Sequence, residues 1–205
     1  MSDIEQLKQD IIQIGRWVDS KGWCPATSGN LSARVDGSHV LITVSGNGKG
    51  ELTENDLMTV DANGEPFNSD KMPSAETLLH TLIYGHFPNA NYVVHTHSVN
   101  ATVFSRAIWD GEITFSNYEM QKAFRGVASH DVEIKVPVFP NNQNMLELAQ
   151  KVEPFLRAQP VCPAFILAGH GVYTWGETVK EARRHAEAME FLLQCEYNSC
   201  LLLKQ

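Results

Sequence analysis

His95 and His97 stand two residues apart in VVHTHS (93–98), inside a run that otherwise has the apolar, β-branched character of a buried strand. A strand sends residues i and i+2 to the same face, so both imidazoles point at one spot. Neutral imidazoles are costly to bury unpaired, so the two rings either have separate partners or share one. A metal ion suits the second arrangement, because both rings reach it while the backbone between them stays paired. Zinc sites that do chemistry typically use three protein ligands and keep one position open. His170, in LAGHGVYTWG, is the candidate third ligand, with glycines on either side that permit a tight turn and close approach to the ring. Three imidazoles without a thiolate suit zinc and also admit manganese, iron or cobalt. His39, His80, His86, His130 and His185 read as ordinary surface or core residues.

Two glycine loops precede the histidine strand. In TSGNLS (27–32), Gly29 lets backbone N–H groups approach an anion, and Ser28 and Asn30 add side-chain donors. VSGNGKG (44–50) repeats Ser-Gly-Asn and adds Lys49. Successive N–H groups in such turns form anion-binding nests, and Ser74, at the start of a predicted helix, could add a third edge. The same loops also read as plain turns, and no GxxxxGK[ST] phosphate loop is present. Proton transfer needs a further group. Glu76, in MPSAET, and Glu119, in NYEMQ, stand out by context, although each also reads as a helix N-terminal charge that favours the dipole.

These residues need a frame. Ile4, Leu7, Ile11, Ile14 and Val18 recur at helical spacing up to a stop at Lys21-Gly22. LSARV and HVLITVS have strand character. Ser74 can cap a helix running to His86, after which come the strand YVVHTHS and a helix from Val99 to Ala107. NYEMQKAF reads as a short helix, VEIKVPVF as a strand, and Asn144 to Arg157 as a helix. FILAGHGVYTWG reads as strand, turn, strand, and a long helix opens with a capping box at Thr178 and Glu181. The mixture predicts an α/β sandwich with helices on both sides of one sheet.

The totals agree with a small enzyme. The chain has 205 residues, which suits one domain over 1–205, and no repeat or linker divides it. A net charge of −8 argues against a nucleic-acid partner, but not against one small phosphorylated ligand. No apolar run approaches the roughly 20 residues of a membrane span. MSDIEQLKQD lacks the apolar core of a signal peptide, so a cytoplasmic setting is expected. Cys24, Cys162, Cys195 and Cys200 show no CxxC spacing and read as free thiols.

TSGN, then SG after a short strand, then PSAE, HTH and GHG, in that order, resemble the class II aldolase family over nearly the whole chain. This family of zinc enzymes includes fuculose- and rhamnulose-phosphate aldolases and ribulose-phosphate 4-epimerases. The resemblance implies a three-layer αβα sandwich with a central, mainly antiparallel β-sheet. It implies one zinc ion per subunit on His95, His97 and His170, and a phosphorylated ketose held through Gly29, Asn30, Ser45, Gly46 and Ser74. It also implies a homotetramer with active sites near subunit boundaries. Glu76 occupies the position of the aldolases' proton-shuttling glutamate. YEMQK at Glu119 is instead similar to the segment that supplies the acid/base of the family's dehydratase branch, which favours loss of water from the ketose phosphate over aldol cleavage or 4-epimerisation. Phe115, Met120 and Trp175 offer an apolar wall for a substrate tail, or plain core. Outside enzymology, a structural-metal module or an adaptor remains; the first would need a closed four-ligand site, for which the sequence suggests no fourth ligand.

Overall fold

The structure is a computed structural model that describes residues 4–203. Helix α1 (Ile4–Ser20) buries Leu7, Ile11, Ile14 and Val18, the stripe that its spacing predicts. Strands β1 (Asn30–Arg34), β2 (His39–Thr43), β3 (Leu57–Asp61), β4 (Tyr92–Thr96), β5 (Gly111–Phe115), β6 (Ile134–Phe139), β7 (Ala164–Leu167) and β8 (Gly171–Gly176) form one sheet in the order β3-β2-β1-β4-β8-β7-β6-β5. Every neighbouring pair is antiparallel except β6 and β7.

Helices α2 (Thr77–His86) and α4 (Met145–Arg157) cover one face, where Leu79, Ile83, Leu148 and Val152 pack on Ile42, Val93 and Phe165. The other face is covered by α1, α3 (Val99–Ile108) and α5 (Val179–Leu202), with Ile11 and Ala186 over Val94, and Met189 and Leu192 over Val136 and Ile166. The three layers of the αβα sandwich are therefore present. Strand β4 lies near the middle with all five residues buried, which is why its sequence is an unbroken run rather than an alternation.

Local details differ from the sequence pattern in four places. Strands β3 and β5 are not evident in the pattern, since they are the two edge strands and LMTVD and GEITF mix apolar with polar residues. Helix α2 begins at Thr77 rather than Ser74, because Ser74 forms a turn in which its carbonyl accepts from Thr77 N at 3.1 Å and Thr77 Oγ1 at 2.7 Å. Residues Glu119–Ala123 form a 3-10 segment, not an α-helix. At the start of α5, Thr178 Oγ1 accepts from Glu181 N at 3.1 Å, but the Glu181 carboxylate accepts from Glu177 N rather than from Thr178. The four cysteines are free thiols, with Cys24 and Cys162 buried.

Candidate active site

Register assembles the site. Asn30 of β1 stands opposite His95 of β4, and His95 stands opposite Tyr173 of β8. His170 lies in the turn that joins β7 to β8, so the strand order brings it to the end of β4. Two glycines make this approach possible. A Cβ on Gly29, which has φ +75°, would stand 2.6 Å from His95 O, and one on Gly171 would stand 2.1 Å from Thr96 O.

The three ring nitrogens converge. Nε2 of His95 lies 2.8 Å from Nε2 of His97 and 3.4 Å from Nε2 of His170, and the last two are 3.1 Å apart. Glu76 joins them, with Oε1 2.8 Å from His170 Nε2 and Oε2 3.4 Å from His95 Nε2. The sequence offered no fourth donor; the fold supplies this carboxylate. All four ligand atoms lie within 4.8 Å of one another.

The chemistry of this donor set fits a metal ion. His95 Nδ1 faces the Val172 carbonyl at 3.0 Å, which can only accept, so the proton sits on Nδ1 and Nε2 is left bare. His170 Nδ1 likewise faces Asn141 Oδ1 at 3.3 Å. Ligands about 2 Å from one tetrahedral ion stand about 3.3 Å apart, close to the spacings observed. Burial, reinforced by His170, pushes the His97 ring down to about 4. Burial also holds His95 well below the ordinary histidine range against the opposing pull of Glu76. Burial alone would raise Glu76, but His95, His170 and the Asn30 amide outweigh it and keep the carboxylate below its usual range.

An open cleft of about 530 Å³ reaches this cluster, lined by Ser28, Glu76, His97, Asn141, Gln143 and His170 among others. The buried Ser28 Oγ there has no hydrogen-bond partner. The two glycine loops come together beside it. Lys49, 1% exposed, donates to Thr27 O at 2.9 Å and Asn47 O at 2.7 Å and so ties one loop to the other. Asn30 Nδ2 donates to Ser74 Oγ at 3.0 Å and also to Glu76 Oε2. An antiparallel β-bridge between Val44 and Pro73 ties the second loop to the segment that carries Ser74, and Ser45 and Gly46 are both exposed. Of the five expected phosphate contacts, Asn30 and Ser74 touch directly, and Gly29 adjoins Asn30 in the chain.

Glu119 is not among the cluster groups and does not line the cleft. Its carboxylate is 69% exposed and pairs with Lys122 and, at 3.5 Å, with His130. The hydrogen bond from Lys122 is the main reason that it titrates below the usual glutamate range. Phe115 and Trp175 are core residues on opposite faces of the sheet, and Met120 packs against the core around Phe115, so none of the three lines the cleft.

Two buried residues behind the cluster escaped the sequence pattern. His80 is fully buried and bonded to Asn30 and Ser32. The Tyr173 ring stacks on His95 at 3.9 Å. The one available signal was positional: His80 lies four residues after Glu76, on the same helix face.

The fold and this site define a class. The profile of the Class II Aldolase and Adducin N-terminal domain matches residues 9–197, and the chain belongs to that family. The solved structure of l-fuculose-1-phosphate aldolase from Thermus thermophilus superposes with a TM-score of 0.77 at 26% identity, covering 98% of this chain and 97% of the other. More narrowly, the chain is 48% identical over 192 residues to methylthioribulose-1-phosphate dehydratase of Pseudomonas aeruginosa, covering 94% of each protein. The dehydratase of Pseudomonas fluorescens is also 48% identical, over 94% of this chain and 92% of that protein.

Proposed function

We propose that this protein removes water from 5-methylthioribulose 1-phosphate to give 2,3-diketo-5-methylthiopentyl 1-phosphate, a step of methionine salvage in the cytoplasm. The observation that carries this reading is the 48% identity to such dehydratases over 94% of the chain. Convergence of His95, His97 and His170 on one spot supports a catalytic metal, which we take to be one zinc ion per subunit of a single-domain chain. Bound there, the ion supplies Lewis-acid polarisation of the substrate's C2 ketone and C3 hydroxyl oxygens.

The chain's own groups do the rest. Gly29, Asn30, Ser45, Gly46 and Ser74 hold the 1-phosphate with backbone and side-chain donors. Glu76, ionised and fixed by Asn30, accepts the hydrogen bond of the substrate hydroxyl nearest the histidines. Glu119 takes the proton from C3, and a proton returns to the C4 hydroxyl as it departs as water. The resulting C3–C4 enol tautomerises to the diketone. Because Glu119 is exposed and outside its own cleft, it serves this reaction from a neighbouring subunit, which suits a homotetramer with active sites at subunit boundaries.

One observation favours a second reading. Glu76 touches the histidines and Glu119 does not, and an aldolase would need the proton carrier at Glu76 to break the C3–C4 bond. Phosphorus NMR of zinc-loaded protein given methylthioribulose 1-phosphate separates the two. A diketo-pentyl phosphate is expected as the sole product; dihydroxyacetone phosphate would transfer the assignment to the aldolase.

A further inference from the structure

Behind Glu76, on the core side, Asn30 continues into a line of buried polar side chains, His80, Ser32 and Tyr84, that are neither metal ligands nor phosphate contacts. Two periodicities build it. Glu76, His80 and Tyr84 follow one another at four-residue steps along α2, and Asn30 and Ser32 share one face of β1. His80, Ser32 and Asn30 are 0%, 1% and 3% exposed. His80 Nε2 meets Asn30 Oδ1, His80 Nδ1 lies 2.7 Å from Ser32 Oγ, and Ser32 Oγ lies 2.9 Å from Tyr84 OH.

The direction of each bond follows from its end. A carboxylate only accepts, so the Asn30 amide must turn its NH2 towards Glu76 and its oxygen towards His80. His80 therefore carries its proton on Nε2, and its bare Nδ1 accepts from the Ser32 hydroxyl. Ser32 then accepts from Tyr84. Every proton in the line points towards Glu76, an order in which each bond polarises the next. Burial, which pushes the His80 ring down to about 4, keeps it in the neutral form that this order needs.

We infer that His80 is a positioning residue: it locks the Asn30 amide so that one NH2 group holds Glu76 and Ser74 together at the mouth of the cleft. The kinetic part of this inference rests on the dehydratase reading. The hydrogen-bond part does not.

The test uses the full-length protein. In the metal-free form, nitrogen-15 NMR of the histidine rings should show His80 protonated at Nε2 and bare at Nδ1; the opposite tautomer would overturn the inference. With zinc and methylthioribulose 1-phosphate, His80→Leu should lose on the order of 10- to 100-fold in kcat, the scale of a small misplacement of a reacting group. His80→Gln, whose amide can still donate to Asn30, should recover most of the loss. Wild-type kcat in His80→Leu, or equal losses in both variants, would refute positioning. Ser32→Ala removes only a hydroxyl and serves where His80→Leu does not fold. It should cost about 3- to 10-fold in kcat, and an unchanged value would overturn the inference. If the wild-type protein does not turn this substrate over, the functional reading has failed, and the ring tautomer alone still decides the placement of His80.

Discussion

Gly171→Ala tests how tightly the fold holds the histidine cluster. The added methyl would stand 2.1 Å from Thr96 O and 3.0 Å from both His95 Cε1 and His97 Cδ2. Real Cβ atoms essentially never come closer than 3.0 Å, so β4 and β8 must part by most of an ångström at the residue between the two ligands. Metal sites tolerate ligand shifts of only about 0.2 Å. Overpacking of this kind costs about 1–3 kcal/mol, and the smaller unfolded-state entropy of alanine returns only about 0.4–1 kcal/mol. The variant should therefore fold with lower stability and bind zinc on the order of 10- to 100-fold more weakly. Competition against a chromogenic chelator reads the affinity, and thermal unfolding with and without chelator reads the stability. Gly37→Ala, where nothing lies within 4 Å of the new methyl, is the control and should match wild type in both. Wild-type zinc affinity in Gly171→Ala would refute the claim that this strand contact sets the ligand geometry.

Three further outcomes are expected. Acid should destabilise the chelated protein earlier than carboxylates alone would. His80 and His97 stay neutral down to about 4, chiefly because they are buried, whereas in the unfolded chain they take up protons near 6.5; stability is thus lost as pH falls from 6.5 towards 4. Each full unit of this difference is worth about 1.4 kcal/mol, so His80 should account for a loss of about 2 kcal/mol between pH 8 and pH 5, read by urea unfolding; flat stability over that range would refute the neutral assignment. Lys49→Met should leave the carbonyls of Thr27 and Asn47 without their buried donor and lower stability by about 2–4 kcal/mol, with the urea m-value unchanged; a loss under 0.5 kcal/mol, on the scale of an ordinary surface change, would show that the two loops do not depend on it. On the proposed tetramer, in which Glu119 serves a neighbouring subunit's site, mixed unfolding and refolding of Glu119→Gln with His97→Ala should restore part of the activity that each lacks alone, because a mixed assembly then contains at least one boundary with an intact Glu119 and intact histidines. No recovery would place both residues in the same subunit's site.

The chain order of its chemistry was legible without a structure. His95 and His97 announce themselves because two ligands on one strand obey a fixed two-residue period, and that period survives in any sheet register. The flanking glycines of His170 are legible for related reasons: Gly171 passes too close to Thr96 O for any side chain, and Gly169 takes a φ of +64° that favours glycine. Helices α1 and α4 show through their apolar stripes, α5 through its Thr178 cap, and free cysteines through the absence of paired spacing. The edge strands β3 and β5 do not show, because each is a run of only five residues that mixes apolar with polar side chains.

Tertiary structure alone decided what meets the histidines. Glu76 reaches the cluster, and Glu119 lies on the exposed surface outside the cleft, although their local sequences make equally good helix starts; what separates them is where the turn after β3 and the segment after β5 are laid down. The bond between His80 and Asn30 joins residues fifty positions apart. A buried imidazole is chemically identical in sequence whether it fills core or orients an amide. Lys49 gives the same lesson, since a lysine in a glycine-rich loop reads as a contact for an anion until the fold buries it against the carbonyls of two loops. Local spacing determined which residues can act together within one element; only the packing of elements determined which of them share a partner.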